Sequence, residues 1–154
     1  MTTVPTHRLR PATEADLPFL LALRLATMAP HFERQGIAFG EELHRQRAEF
    51  RLDAASIIEI DGRPAGLLKV LRDGTAWTVE QMQVASDHQG AGLGAGLLRM
   101  VIAEARAAGA SLHLSVLKRN PAARLYTRLG FRTRNESEHS YKMTLVDDAE
   151  PAIR

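Results

Sequence analysis

The chain has 154 residues, of which 45% are hydrophobic and 25% are charged, a composition typical of a globular protein with a single domain. Its formal net charge is only +2, and its arginines alternate with acidic residues, which argues against a nucleic-acid partner. The sequence has no cysteine, no apolar run of membrane-spanning length and no signal-peptide pattern, so we expect a cytoplasmic protein without disulfides or a membrane partner.

The start of the chain predicts one strand and one helix. We expect a short strand over residues 7–10, ended by Pro11. Thr13 is a favourable N-cap for a helix that runs to about residue 27, and Asp16 stands at its third position as a weak capping-box partner. Leucines recur at helical spacing in this helix, which gives it one apolar face.

A loop and a second helix follow. Residues 28–36 predict a bend and a loop, and residues 40–53 predict a helix. The arginines of this helix are mixed with acidic residues, so we expect a solvated amphipathic surface rather than a basic patch. The helix is predicted to bring together on one side Leu43, Arg47 and Phe50.

Three strands are predicted next, over residues 56–60, 64–71 and 75–84. Asp61-Gly62, between the first two strands, is a strong hairpin signal. Asp73-Gly74 marks a second turn, so we expect the third strand to be antiparallel to the second.

The glycine-rich stretch after this strand, residues 89–94, is the most informative part of the sequence. It lies between the strand and an uninterrupted helix-forming segment over residues 95–106. Glycines let the backbone approach a ligand closely, and the first N–H groups of a helix are unpaired. A strand, a glycine loop and a helix N-terminus therefore predict a site for an anion such as a diphosphate.

Three classes of ligand use such loops. A nucleotide P-loop needs a lysine after the glycines, and none is present. A dinucleotide fingerprint is formally present as Gly90-x-Gly92-x-x-Ala95, but that site also needs an acidic residue about 20 residues further on. The next predicted strand, over residues 111–117, ends instead in Lys118-Arg119-Asn120. The third class is acyl-coenzyme A.

The rest of the chain predicts a strand, a short helix and two more strands. Gly109 is placed to end the long helix, and Pro121 suits the first turn of the short one. Residues 132–136 and 139–145 predict a final hairpin. We expect one domain over residues 1–154, with its core over about 7–145 and a frayed acidic tail over 146–154.

Two motifs resemble those of the GNAT N-acetyltransferase superfamily, in its small bacterial single-domain form. Gln89-x-x-Gly92-x-Gly94 is similar to the pyrophosphate motif of that family, Arg/Gln-x-x-Gly-x-Gly/Ala. Residues 120–131, Asn-Pro-Ala-Ala-Arg-Leu-Tyr-Thr-Arg-Leu-Gly-Phe, are similar to its second motif, an Asn before a short helix with a Tyr and then Leu-Gly-Phe. The resemblance covers about residues 9–145.

The resemblance implies an α/β fold with a GNAT-like mixed, mostly antiparallel twisted sheet of about six to seven strands and helices on both faces. Two strands of that sheet splay apart beside the cofactor. It also implies an enzyme that moves an acetyl group from acetyl-CoA directly to a primary amine, without a metal. Two alternatives stay open: a protein lysine or N-terminal acetyltransferase, and a non-catalytic acyl-CoA sensor on the same fold.

Acetyl transfer to an amine needs a base for the ammonium proton and an acid for the leaving thiolate. Glu80 is the candidate base, because alternation along the strand predicts that Glu80, Met82 and Val84 share one side. By resemblance that side faces the acetyl group. Tyr126 stands where many members of the family carry the acid. The alternatives are a salt-bridged surface glutamate and a core tyrosine.

The cofactor contacts are implied by the resemblance. Backbone groups of the strand are expected to pair with the pantetheine amides, and the glycine loop with the Gln89 side chain is expected to hold the diphosphate. Asn120 is expected to bind the pantetheine arm, to cap the short helix, or both. The expected coenzyme A contacts are Met82, Val84, Gln89, Gly90, Ala91, Gly92, Leu93, Gly94, Ala95, Asn120 and Tyr126.

The acceptor pocket is expected to draw on the first two helices, the fourth strand and the final hairpin. Aromatic and imidazole groups with one arginine suit a small polar amine, with or without a carboxylate. Purely structural roles for these side chains are the alternative. The sequence leaves open which amine is used and whether the chain is a monomer or a homodimer. The candidate acceptor residues are Arg24, Met28, His31, Phe32, Trp77, His139 and Tyr141.

Overall fold

The computed structural model describes residues 6–146, which form one seven-stranded sheet and five α-helices. The strands are β1 (Arg8–Pro11), β2 (Ala55–Ile60), β3 (Arg63–Leu71), β4 (Ala76–Val84), β5 (Ser111–Leu117), β6 (Phe131–Glu136) and β7 (Ser140–Leu145). The helices are α1 (Leu17–Thr27), α2 (Ala29–Arg34), α3 (Glu41–Glu49), α4 (Leu93–Ala108) and α5 (Ala122–Arg128).

The sheet has the strand order β1-β2-β3-β4-β5-β7-β6. Neighbouring strands are antiparallel except β4 and β5, which are parallel and connected through α4. This mixed, mostly antiparallel α/β sheet confirms the predicted fold class. The final hairpin is also confirmed, but its second strand, β7, pairs with β5 and leaves β6 at the edge of the sheet.

Helices cover both faces of the sheet. Leu67 and Leu68 are neighbours on β3 and therefore point to opposite faces. Leu67 is buried with Leu20 of α1 and Ala48 of α3, whereas Leu68 is buried with Leu98 of α4. Burial of leucine side chains on both faces stabilises the sheet by roughly 1.5–3 kcal/mol for each fully buried residue.

Three local signals stand where they were predicted, although Asp16 rather than Thr13 is the N-cap of α1 itself. Asp61 and Gly62 have φ angles of 53° and 76°, so both central residues of the β2–β3 turn are left-handed, as a tight hairpin turn requires. Thr13 precedes a short 3₁₀ turn that leads into α1, and its backbone N–H donates to the Asp16 carboxylate at 2.8 Å. Gly109 ends α4 in the left-handed conformation.

β4 and β5 pair only over their first four residues and then separate. Their register runs from Ala76 opposite Ser111 to Val79 opposite Leu114. Both strands continue beyond this point, to Val84 on β4, but each then pairs only with its antiparallel neighbour. The predicted splay between two central strands is therefore present and leaves a gap in the sheet.

A β-bulge in β4 lies at the start of this gap. Lys69 of β3 is opposite Gln81, but the next residue, Val70, is opposite Val79, so Glu80 is the extra residue of β4. A bulge interrupts the strict alternation of side chains between the two faces. The side chains that follow it cannot be assigned to a face by counting from the start of the strand.

Two helix predictions need correction. Residues 28–36 were expected to form a loop, but Ala29–Arg34 is the helix α2; Pro30 lies in its first turn, where the missing N–H needs no partner. The second predicted helix, α3, ends at Glu49 rather than at residue 53. Its buried residues are His44 and Ala48, so the expected side is wrong. Of the residues expected to share that side, Leu43 and Phe50 are exposed.

The buried side of α3 combines a polar and an apolar contact. His44 accepts a hydrogen bond from Arg24 of α1, and Ala48 is buried with Leu20 of α1, so the helix packs on α1 through a small apolar residue and an imidazole rather than through Leu43 and Phe50. Of the predicted tail over residues 146–154, all but Val146 lies outside the described residues. In the described range, no helix combines the length and apolar character needed to cross a bilayer.

Candidate active site

Two cavities meet at the gap between β4 and β5. One, of about 180 Å³, contains Arg24 and Arg47, and we name it the arginine cavity. The other, of about 590 Å³, contains residues 92–95, and we name it the glycine-loop cavity. Both cavities are lined by Met28, Met82, Gln83, Asn120 and Tyr126.

The glycine-loop cavity has the features of an anion site. Gly90 and Gly92 have φ angles of 84° and 83°, left-handed conformations that favour glycine. α4 begins at Leu93, and its first intrahelical bond runs from the Gly96 N–H to the Gly92 carbonyl. The N–H groups at the first three helical positions thus have no helical partner and are available to a ligand.

The free edge of β4 also faces the gap. The Ala85 N–H donates to the Ala65 carbonyl of β3 at 2.8 Å. Because neighbouring residues of a strand direct their backbone groups to opposite edges, Val84 and Met82 direct theirs toward the gap. The strand therefore turns the backbone groups of these two residues toward the glycine loop, where the Val84 carbonyl accepts from the Gln89 side chain.

The side chain of Gln89 connects the end of β4 to the glycine loop. Its Nε2 donates to the Val84 carbonyl at 2.7 Å, and the second N–H of this amide is left for a ligand. The side chain of Leu93 is buried in the core, which leaves only its backbone for a ligand.

Tyr126 and Asn120 stand where the two cavities meet. Tyr126 is a buried residue of α5 whose ring packs edge-on against Phe131, with ring centroids 6.1 Å apart. Burial raises the pKa of its phenol to about 12, which keeps the hydroxyl protonated at neutral pH. The Asn120 Oδ1 accepts from the Ala122 N–H at 2.9 Å, so Asn120 caps α5 and also lines the cavities.

Glu80 does not share a face with Met82 and Val84, and that expectation was wrong. Met82 packs in the core cluster of α4, and Val84 packs in a neighbouring cluster on the same side. Glu80 lies instead toward α3, where its Oε2 is 3.9 Å from the Arg47 Nη1. The next side chain, Gln81, also reaches α3 and donates to the Arg47 carbonyl at 2.9 Å. The bulge explains why Glu80 and Gln81 both face α3.

The surroundings of Glu80 are cationic rather than apolar. Arg24 is 2% exposed, and burial lowers the pKa of its guanidinium to about 10, with Arg47 acting in the same direction and Glu80 opposing it. Lys69, on β3, is fully buried, and burial lowers its pKa to about 8. Its Nζ donates to the carbonyls of Arg47, Ala48 and Phe50, and so caps the end of α3.

The arginine cavity is covered on one side by α2. Gln35, just after α2, donates from its Nε2 to the His139 carbonyl at 2.7 Å. Its Oε1 accepts from the Arg119 N–H at 2.9 Å, and the Arg119 guanidinium donates to the Arg34 carbonyl at 3.0 Å. These bonds connect the α2 segment to the β5–α5 loop and to the β6–β7 turn, across the gap in the sheet.

The structure brings together some of the expected acceptor residues and not others. Arg24, Met28 and Phe32 line the arginine cavity, but His31 lies on the glycine-loop side. Three others line neither of these cavities. Trp77 is buried at the paired start of β4, His139 contributes its backbone carbonyl to Gln35, and Tyr141 packs beside the core under Lys118.

Several residues that line the cavities or pack around them were missed from the sequence. Arg47 was interpreted as part of a solvated surface, because it alternates with acids along α3. Lys69 had a visible signal, a lysine within an otherwise apolar strand, which indicates a buried partner. Gln81 and Gln83 had a weaker one, since both are polar at positions that alternate with Met82. Gln35 had none, because its partners are distant in the sequence.

Comparison with known proteins agrees with this arrangement. The family described as the acetyltransferase (GNAT) domain matches residues 52–133, which hold β2 to α5 and the glycine loop. No curated protein matches the sequence.

Solved structures share the fold over nearly the whole chain. The PaiA N-acetyltransferase of Thermoplasma acidophilum, solved in complex with coenzyme A, is similar with a TM-score of 0.76 at 14% identity, covering 92% of this chain and 99% of that one. An acetyltransferase of Thermus thermophilus gives 0.71 at 24% identity, with 94% and 98% covered. The ribosomal-protein-S18-alanine N-acetyltransferase of Escherichia coli gives 0.69 at 22% identity, with 91% and 93% covered. Because the matched domain covers more than half of the sequence, this chain belongs to the GNAT acetyltransferases, which use acetyl-CoA as the acetyl donor.

Proposed function

We propose that the protein transfers an acetyl group from acetyl-CoA directly to the primary amine of a small molecule. One observation carries the proposal: the glycine-loop cavity and the arginine cavity meet at Tyr126, in the gap between β4 and β5. An acetyl donor in the glycine-loop cavity and an amine acceptor in the arginine cavity would both reach the Tyr126 hydroxyl, each from its own side. The chain has no cysteine, which supports direct transfer rather than an acetyl-cysteine intermediate.

The residues of the glycine-loop cavity fit coenzyme A. The free N–H groups at the start of α4 suit the diphosphate, and the left-handed glycines let it approach the backbone. The edge of β4 at Met82 and Val84, where no further strand pairs, suits the amides of the pantetheine arm, which would bind there as an added strand does. The Val84 N–H could also donate to the thioester oxygen and polarise the carbonyl.

Glu80 and Tyr126 are proposed to move the two protons of the reaction. Glu80 takes the proton of the acceptor ammonium, and the amine nitrogen then forms a bond to the acetyl carbon. As the C–S bond breaks, the Tyr126 hydroxyl protonates the leaving sulfur, and the second proton that the nitrogen loses on becoming an amide restores this hydroxyl. Glu80 returns its proton to solvent. The raised pKa of Tyr126, about 12, keeps the hydroxyl proton in place until the thiolate forms.

A small acceptor is favoured because the arginine cavity is covered. Gln35 and Arg119 connect the α2 segment to the far side of the gap, and the cavity behind them measures only about 180 Å³. A peptide acceptor needs an open groove that lets the chain pass on both sides of the reacting amine. Such a groove would form only if the hydrogen bonds of Gln35 and Arg119 were broken.

The experiment is a panel of amines assayed by thiol release from acetyl-CoA. Amino acids, aliphatic and aromatic amines, polyamines and peptides with free N-termini or lysines are compared at equal concentration. We expect turnover of one or more small amines and no preference for peptides. Turnover of peptides alone would replace the proposal with a protein acetyltransferase. Coenzyme A binding without turnover of any amine would indicate a sensor.

A further inference from the structure

Arg24 is a buried cation that has no anionic hydrogen-bond partner in the described part of the chain. Its Nε donates to the Nδ1 of His44 at 3.2 Å. Burial and the nearby Arg24 charge lower the pKa of His44, so this imidazole is a neutral acceptor and not a counter-ion. No acceptor among residues 6–146 bonds the two terminal nitrogens of Arg24. These nitrogens are not among the fully buried side-chain atoms of the described residues that lack a partner, so they stay accessible in the cavity that Arg24 lines and can bind an anion there.

Two buried acceptors without donors belong to residues that line the same cavity as Arg24. The side-chain oxygens of Gln81 and Gln83 are buried, and neither has a hydrogen-bond partner in the described residues. The Gln81 Nε2 donates to the Arg47 carbonyl at 2.9 Å, which leaves the Oε1 of that amide as the atom without a partner. Both glutamines line the arginine cavity. Unsatisfied acceptors of this kind suit the N–H groups of an amine.

The charges of the arginine cavity also favour a ligand that carries both an anionic and a cationic group. Its charged lining residues are Arg24, Arg47 and Glu80, two cations and one anion. Arg47 and Glu80 lie 3.9 Å apart, so the positions that favour an anion and a cation are close neighbours. An amine without a negative group would leave Arg24 unpaired. A ligand with both an ammonium and a carboxylate would satisfy the cations and the acceptors together.

We propose that the acceptor is an amine that carries a carboxylate a short distance from its nitrogen, as an α-amino acid does, and that Arg24 binds this carboxylate. Arg47 supports the same anion from the open side of the cavity, and Glu80 with the Gln81 oxygen receives the amine. This proposal rests on the proposed acetylation of a small amine and specifies its substrate class.

The first experiment compares matched acceptors with the wild-type protein. Each of the proteinogenic α-amino acids is assayed with acetyl-CoA beside its primary amide and its decarboxylated amine. We expect the best substrate to be a free acid, with kcat/KM about 10- to 100-fold above its own amide, because a hydrogen bond to a charged group contributes about 1.5–3 kcal/mol. Equal rates for acid, amide and amine would overturn the carboxylate proposal and leave acetylation of small amines intact.

The second experiment removes the cation. In Arg24→Gln the ratio of kcat/KM for acid over amide should fall to near one, mainly through a higher KM for the acid, while the KM for acetyl-CoA stays unchanged. The ratio is measured within one variant, so a partly folded preparation does not affect it. Arg47→Gln changes a half-exposed side chain and gives a second variant, in which the ratio should fall by a smaller factor.

The matched control is Arg45→Gln, the same substitution on α3 at an exposed arginine that pairs with Glu41 and lies outside the arginine cavity. It should keep the wild-type ratio. A ratio that survives in both Arg24→Gln and Arg47→Gln would overturn the assignment of these arginines. A chain that acetylates peptides and none of the amino acids, amides or amines would contradict the proposed function itself.

Discussion

The Nη1 of Arg47 lies 3.9 Å from the Oε2 of Glu80, although the two residues belong to α3 and β4. The distance is longer than a hydrogen bond, and the Arg47 side chain is 53% exposed while that of Glu80 is 19% exposed. Such a loose pair contributes little to stability. Glu80 can therefore leave its ion pair with Arg47 and bind the ammonium of a ligand at a small cost in free energy. A base for the acceptor amine must be able to make this change of partner.

Replacing Glu80 with glutamine tests this role. Glu80→Gln keeps the size of the side chain but removes the base, so kcat should fall near neutral pH. The rate should recover toward high pH, where the amine loses its proton to solvent without help. The measurement is a pH–rate profile of variant and wild type at saturating acetyl-CoA. Parallel profiles with only the acceptor KM raised would make Glu80 an anchor for the ammonium instead.

Replacing Tyr126 with phenylalanine removes one hydroxyl and no other atom. Turnover should fall by about 10²-fold, with little change in acetyl-CoA binding, because the leaving thiolate loses its proton donor. The pKa of Tyr126 is about 12, so its hydroxyl is protonated throughout an assay range of about pH 6–9. The loss should consequently be the same at each pH in that range. Unchanged turnover would make Tyr126 a core residue that packs α5 against Phe131.

Local signals in the sequence were sufficient for most of the fold. The left-handed Asp61-Gly62 turn, the strand β5 and the glycine loop before α4 all depend on neighbouring residues, and each was predicted at its observed place. The Asn120 cap of α5 was also an expected role, and it is present. These features follow from backbone geometry and capping within a few residues.

Contacts between distant segments were not predictable in the same way. The bulge at Glu80 depends on how β3 pairs with β4, and nothing near Glu80 in the sequence indicates it. The side of α3 that is buried depends on the pairing of His44 with Arg24 from α1, which opposes the hydrophobic pattern of the helix. Both errors concern the surroundings of the arginine cavity, where polar side chains are buried together.

Replacing Gly92 tests the anion site. In Gly92→Glu the added side chain and charge should exclude the diphosphate, so coenzyme A should no longer raise the melting temperature. Because Gly92 has a positive φ, the substitution also costs some stability. Gly74→Glu is the matched control: Gly74 also has a positive φ, lies in the β3–β4 turn and has open space around it. The Gly74→Glu variant should lose a similar amount of stability, but coenzyme A should still raise its melting temperature. Full protection of Gly92→Glu would contradict the diphosphate assignment.

The buried Lys69 predicts a pH dependence of stability. Burial lowers its pKa to about 8 in the folded protein, against about 10.4 in an unfolded chain. Between these two values the unfolded state binds more protons than the folded state, so the contribution of Lys69 to the free energy of unfolding rises with pH. Below about pH 8 both states are protonated and the contribution is constant at its lower level.

Lys69→Met removes this titration together with the cap that Lys69 forms on the carbonyls at the end of α3. The free energy of unfolding of wild type minus that of the variant should increase by on the order of 2 kcal/mol between pH 7.5 and 10.5. Urea unfolding at several pH values measures it, and Lys142→Met, an exposed lysine of β7, controls for the loss of one lysine. A difference that stays flat or falls across this window would mean that the three carbonyls hold the Lys69 ammonium charged despite its burial.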